Sequence, residues 1–359
     1  MTAVPVHADA PTAGPSAGVT PADVARGRRR RTRHRRTVVT VLAVLVVVLF
    51  CVSLVVGRTV YPPADVLRVV LGQDVDGASF TVGTLRLPRA ALAVLTGLAF
   101  GLGGVTFQTM LRNPLASPDV IGITSAASAA ATFGIVTLGL GATGVSTFAI
   151  AGGLAVALVI YALAAGRTSA TTRLVLVGIG VAAMLDSVTT YLLSEAAVWD
   201  QQAASRWLTG SLNGASWEQA WPLALALAVL APVLLLLQRD LAAGQLGDDT
   251  ASALGVRVGR TRLLLLVAAV GLVAFGTAAA GPIAFVAFLS GPIAARLVGP
   301  GTPVLVPAAL VGAVLVLTAD LVGQNLLGTR LPVGVVTGVL GAPYLVHLVV
   351  RTHRTGGSL

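Results

Sequence analysis

From Val38 onward the chain is a succession of about ten apolar runs, each near the length that crosses a bilayer and each bounded by a short polar stretch. Hydrocarbon offers no water to backbone N–H and C=O groups, so runs of this kind fold as helices that satisfy their own backbone. The expected spans are Val38–Val56, Ala90–Arg112, Ile121–Leu138, Val145–Ala165, Leu174–Leu193, Ala220–Leu237, Leu263–Ala280, Pro282–Val298, Val304–Gln324 and Val333–Val350. Composition excludes a soluble reading of the same length: 55% of residues are hydrophobic, 11% are charged and the mean hydropathy is +0.89. The expected fold is all-α and polytopic, with residues 37–354 forming one transmembrane domain and 355–359 a short tail.

Residues 1–36 lack apolar periodicity and end in RGRRRRTRHRR, so a disordered basic tail in the cytoplasm is expected there. Eight arginines fall between Arg26 and Arg36, and the rest lie between apolar runs, which argues against nucleic acid as partner and for anionic lipid. With both chain ends inside, 18 of the 24 arginines are cytoplasmic, leaving Arg58, Arg68, Arg86, Arg89, Arg206 and Arg330 outside. The opposite orientation would invert that asymmetry. A bacterial cytoplasmic membrane with cytoplasmic termini is the expected location.

Arg86–Ser128 is the stretch around which the rest is organised. Gly97, Gly101, Gly103 and Gly104 remove bulk from the span, which suits a helix packed against other helices rather than lipid. Gln108, inside the span, needs either an interhelical hydrogen bond or a watered path. Arg112 closes the span, and Pro114 and Pro118 stop the helix. Arg86 and Arg89 stand on the side where topology needs no arginine. They either reach lipid phosphates or offer a cationic fork to carboxylates. Asp186 and Asp320 fall within spans and read as a proton relay or as structural hydrogen bonding.

The run R-L-P-R (residues 86–89), followed by Gln108, R-N-P-L-A-S-P (112–118) and G-I-T-S (122–125), resembles the iron-siderophore and cobalamin permeases of ABC importers, the FecCD type. The likeness recurs in GPIAFVAFLSGPIAAR (281–296) and LPVGVVTGVLGAPYLVHL (331–348). It implies a type II ABC importer permease fold, with Arg112, Asn113, Pro114 and Asp320 as structural motif residues and ferric siderophores as cargo. Cobalamin or haem is the alternative cargo, and a proton-coupled secondary transporter is a more distant one. The implied partners are a second permease, two ATPase subunits and an extracytoplasmic binding protein. A histidine usual before Arg296 is missing, which points to pairing with an unlike permease; a homodimer stays open. Arg86 and Arg89 are implied to dock the binding protein. Arg330 stands where the family has a glutamate before L-P-V-G, and Gln324 occupies the region of a further external arginine.

Leu246, Gly247, Ala251, Leu254 and Gly255 match the segment that couples such permeases to their ATPases. It reads as two short helices joined by a turn. Thr171 and Thr172 match a cytoplasmic gate, though hydroxyl residues there also read as helix caps. The chain has no G-x-x-x-x-G-K-[ST] loop, so ATP is expected on partner subunits and no cofactor on this chain. With no H-E-x-x-H, no nucleophile elbow and the single Cys51, no catalytic or metal residues are expected, and the chain reads as a transport subunit and not an enzyme.

Overall fold

A computed structural model describes residues 21–118, 122–164, 170–326 and 329–354. The helices, in order, are α1 (Pro21–Val55), α2 (Pro63–Val70), α3 (Leu87–Met110), α4 (Ile123–Val136), α5 (Ala142–Ala164), α6 (Ala170–Glu195) and α7 (Val198–Leu208). They continue with α8 (Trp217–Leu236), α9 (Gln238–Gly244), α10 (Asp248–Ala253), α11 (Val258–Ala280), α12 (Val286–Val298), α13 (Leu305–Asn325) and α14 (Val333–Arg354). A π-helical segment, Ser79–Arg86, runs straight into α3. Among the described residues there is no strand, and seven helices are long and apolar enough to cross a membrane; three shorter apolar ones accompany them. The protein is the polytopic all-α bundle that its hydropathy pattern requires.

Helix α3 is the axis. The most apolar stretches of α3 and α11 are 78% buried, against 11% in α6 and 17% in α1. Glycine explains the difference. A Cβ on Gly97 or Gly101 would strike the α13 backbone at Ala313 and Ala308, and one on Gly104 would strike the Ala287 carbonyl of α12. Two helices therefore approach α3 to backbone contact, and dispersion compensates for the low helix propensity of glycine. Leu92, Phe107, Leu272 and Leu317 fill the core so formed, each under 2% exposed.

Four expectations change on contact with the structure. The arginine run is helical from Pro21 and continuous with the first span, because Ala and Arg are good helix formers that extend a helix once an adjacent span has nucleated it. Residues 1–20 lie outside the described ones. The polar stretch between the expected spans Leu174–Leu193 and Ala220–Leu237 contains a helix of its own, α7, anchored by the fully buried Ala204. The 282–298 span is only partly helical: α12 starts at Val286, after Phe285 adopts the left-handed conformation (φ 64°). Such irregular backbone is tolerated at membrane depth because protein surrounds it. Finally, of the two short helices expected within residues 246–258, only α10 lies there; the other, α9, precedes it.

Candidate functional site

Most of the sequence-derived site residues gather at the two ends of α3. At its start, neither arginine stands free. The Arg86 guanidinium donates to the carbonyls of Leu54 (2.8 Å), Val55 (3.0 Å) and Thr59 (2.7 Å). These include orphan acceptors of the α1 C-terminus, where positive charge also meets the helix dipole. Tyr61 lies under the same guanidinium, 5.2 Å from ring centre to Cζ. Hydrogen bonds to Thr81 and Thr59, with Arg86 nearby, hold its phenol below the usual tyrosine range despite opposing desolvation.

Arg89 grips Asp320 in a two-pronged pair, Nε to Oδ2 at 2.8 Å and Nη2 to Oδ1 at 2.7 Å. The side chains are 20% and 9% exposed. The pair joins α3 to α13 across 231 residues of sequence. Nη1 of Arg89 donates to Oδ1 of Asn213 (2.9 Å), which also faces Nε2 of Gln324 (3.4 Å). Asn213 is a site residue that the sequence reading missed; it sits in the loop between α7 and α8, with no apolar period to flag it. Of the three arginines assigned to docking, Arg330 alone is exposed without a hydrogen bond or ion pair among the described residues.

Gln108 is 6% exposed and donates through Nε2 to the Phe288 carbonyl at 2.8 Å, so the interhelical alternative is the one the structure contains. The reason lies four residues further along α12. Pro292 has no N–H to give Phe288, and Gln108 supplies the missing donor. Gly291 makes the room, since a Cβ there would overlap Oε1 of Gln108. Gln108→Leu is expected to destabilise the chain by about 1–3 kcal/mol, the cost of an orphaned buried acceptor. Pro292→Ala, which restores the helix's own N–H, should recover at least half of that in the double variant. Thermal unfolding in detergent measures both, and simple additivity of the two changes would refute the donor-replacement account.

At the far end, α3 closes in a Schellman-type turn: the Asn113 N–H bonds the Gln108 carbonyl (3.0 Å) and the Arg112 N–H bonds that of Thr109 (3.2 Å). Glycine is the usual occupant of the left-handed position, yet Arg112 holds it at φ 50°. The Asn113 side chain tightens the next turn by accepting the Leu115 N–H at 2.9 Å, and Pro114 ends the helix. The α3 end aims Arg112 at the coupling segment, where Nε meets the Gly244 carbonyl (3.0 Å) and Nη2 meets Asp248 (2.9 Å). Arg262, from α11, bonds the same carboxylate at 3.2 Å. A cavity of about 30 Å³ remains beneath, so polar clamps attach α10 as much as packing does; Ala251 is its one buried residue. Gly247 (φ 111°) and Gly255 (φ 86°) bracket α10, and the adjacent Leu246 and Leu254 are 66% and 64% exposed.

Thr171 and Thr172 fall in the first turn of α6, but their side chains lie outside the described ones. Further along α6, Asp186 is exposed beside Ser187 and Thr190, whose hydroxyls bond back to the carbonyls of Ala183 (2.8 Å) and Asp186 (2.9 Å). An apolar span with a carboxylate on its open face is suited to water or protein, not to lipid. Among the described residues no group of three or more His, Cys, Asp or Glu side chains is placed to hold a metal ion.

A glycine-packed helical bundle with a clamped, apolar-tipped segment at one end has the build of a membrane permease. Residues 45–351 match the FecCD transport family, and the chain belongs to that family. It is 41% identical to the achromobactin transport system permease protein CbrC of Dickeya dadantii over 331 residues, 90% of this chain and 95% of the relative. It is 39% identical to the ferric enterobactin transport system permease protein FepG of Escherichia coli, over 83% and 91% of the two chains. A solved structure of a metal-chelate type ABC transporter in an inward-facing conformation superposes with a TM-score of 0.79 at 25% identity, covering 88% of this chain and 99% of that one.

Proposed function

We propose that this chain is the permease subunit of an ABC importer that carries ferric siderophores into the cell. The coupling segment is the single observation that carries the reading. Arg112 and Arg262 hold Asp248, and so tie the ends of α3 and α11 to a short helix whose flanking leucines are exposed. Two bare leucines on a rigidly held segment suit insertion into a groove of an ATPase subunit. The similarity to CbrC and FepG supports iron chelates as cargo.

On this reading the Arg112 end faces the cytoplasm and the Arg89 end receives an extracytoplasmic binding protein. A second permease pairs with the open face of α6, which carries Asp186, and the cargo path runs between the two. Arg330, with the outer edge of Arg89, presents the docking charge, while Arg86 acts within the chain as a cap on α1. The proton-relay alternative is weakened because the carboxylate of Asp320 is already balanced by both prongs of Arg89.

Radio-iron uptake tests the proposal. Cells lacking the gene should lose uptake of one ferric chelate from a panel of hydroxamate, catecholate and carboxylate siderophores. The intact chain should restore it, and Leu246→Asp with Leu254→Asp should restore under a tenth of it despite normal insertion. Normal entry of every chelate alongside failed uptake of labelled cobalamin would move the cargo assignment to cobalamin. Uptake that persists with ATP depleted would defeat the ABC reading.

A further inference from the structure

Arg89 has five N–H groups, and three are engaged: two by Asp320 and one by Asn213. Its acceptors are unlike. Asp320 is a charged group with 9% of its side chain exposed, and removing its partner would leave a buried charge uncompensated. Asn213 is neutral, exposed, and holds Arg89 by a single bond. A carboxylate arriving from outside therefore has one acceptor it can replace. An ionised oxygen is the stronger acceptor, and the guanidinium fork fits it.

Release of Asn213 would not stay local. Its side-chain oxygen is also the acceptor that faces Gln324, and its backbone N–H bonds the Ser211 hydroxyl at 3.1 Å. Ser211 in turn gives its own N–H to the Ala280 carbonyl at the end of α11 (2.8 Å), and Gly210 accepts from Gly334 at the start of α14 (3.1 Å). Gly210 and Gly214, at φ 70° and 76°, flank the tip that carries Asn213, while Leu212, 1% exposed, roots the loop. The loop's two ends are α7, which adjoins α6, and α8.

We propose that Asn213 is a neutral placeholder on Arg89, displaced by a carboxylate of the docking protein, and that its release passes docking on to α7. The inference rests on the binding-protein-dependent importer reading above. It makes Asn213 a positioning residue, whose replacement by charged and apolar groups acts in opposite directions. In Asn213→Asp the placeholder becomes a fixed carboxylate that competes with the incoming one. In Asn213→Ala the position on Nη1 stands open and the loop is already released.

The experiment uses the reconstituted full complex and the binding protein of the same importer, loaded with its ferric chelate. Docking affinity and the ratio of stimulated to basal ATP hydrolysis are read together, after confirming that each variant complex assembles and melts like the wild type. Asn213→Asp should weaken docking at least tenfold and lose most of the stimulation. Asn213→Ala should dock as tightly as wild type or tighter, with a stimulation ratio falling towards one. Equal weakening of docking by both, or wild-type behaviour of both, would overturn the inference. Absence of any stimulation in the wild-type complex would instead defeat the importer reading on which it stands.

Discussion

Asp320→Ala is expected to cost about 3–5 kcal/mol of folding stability, because it leaves the Arg89 guanidinium without its counter-charge at the α3–α13 junction. Little relief is available. Asn213 is neutral and offers one acceptor, and the arginine, 20% exposed at its side chain, is only partly hydrated. The loss should appear as a fall of about 4–7 degrees in the temperature at which detergent-extracted protein aggregates, given the unfolding entropy of a chain this long. Asp320→Asn keeps one acceptor and should lose about half as much. Replacing both partners, Arg89→Met with Asp320→Leu, should return most of the stability, since a buried pair exchanged for apolar groups of similar size is close to neutral. A single Asp320→Ala variant melting within two degrees of wild type would show that the pair does not clamp α3 to α13.

That clamp marks where the sequence stops being legible. Both residues were visible: Asp320 as a carboxylate inside a span, Arg89 as an arginine on the side where topology needs none. Their union was not, because 231 residues separate them and no periodicity links one helix to another. Arg86 was read as a charge for lipid phosphates or for docking, because the sequence cannot show that the end of α1 returns its unsatisfied carbonyls to that position. What hydropathy and glycine spacing did determine is the bundle itself and the central place of α3, since both arise from local chemistry and the bilayer. Gln108 stands between these cases. Its need for a partner was clear from burial alone, and Pro292 was in plain view. Only the contact between α3 and α12 shows that the proline lacks the donor which the glutamine has. Arg112 was likewise readable as a helix end, while its left-handed backbone and its hold on Asp248 needed the fold.

Gly104→Leu is expected to abolish accumulation of folded protein in the membrane. The position has no slack: a Cβ alone would overlap the Ala287 carbonyl and crowd its Cα, and these are backbone atoms of α12 that no rotamer change can move aside. Accommodation would require α3 and α12 to separate. Gln108 lies one turn further along the same face and bonds the adjacent Phe288 carbonyl, so separation also breaks the bond that replaces the proline's missing donor. Helix α13 resists such a shift, because Gly97 and Gly101 are fitted to its backbone at Ala313 and Ala308. Overpacking alone costs about 1–3 kcal/mol for modest additions. A whole leucine side chain at a site with no free volume, together with an orphaned carbonyl, would exceed that and consume much of the ~5–15 kcal/mol by which a folded chain is stable. Gly259→Leu serves as the control, since nothing stands within 4 Å of a Cβ built there. Membrane fractions probed for a C-terminal tag should show Gly259→Leu near wild-type abundance and Gly104→Leu below a tenth of it. Equal abundance of the two would mean that α3 and α12 are not held at backbone contact, and the packing argument for α3 as the axis of the bundle would fail with it.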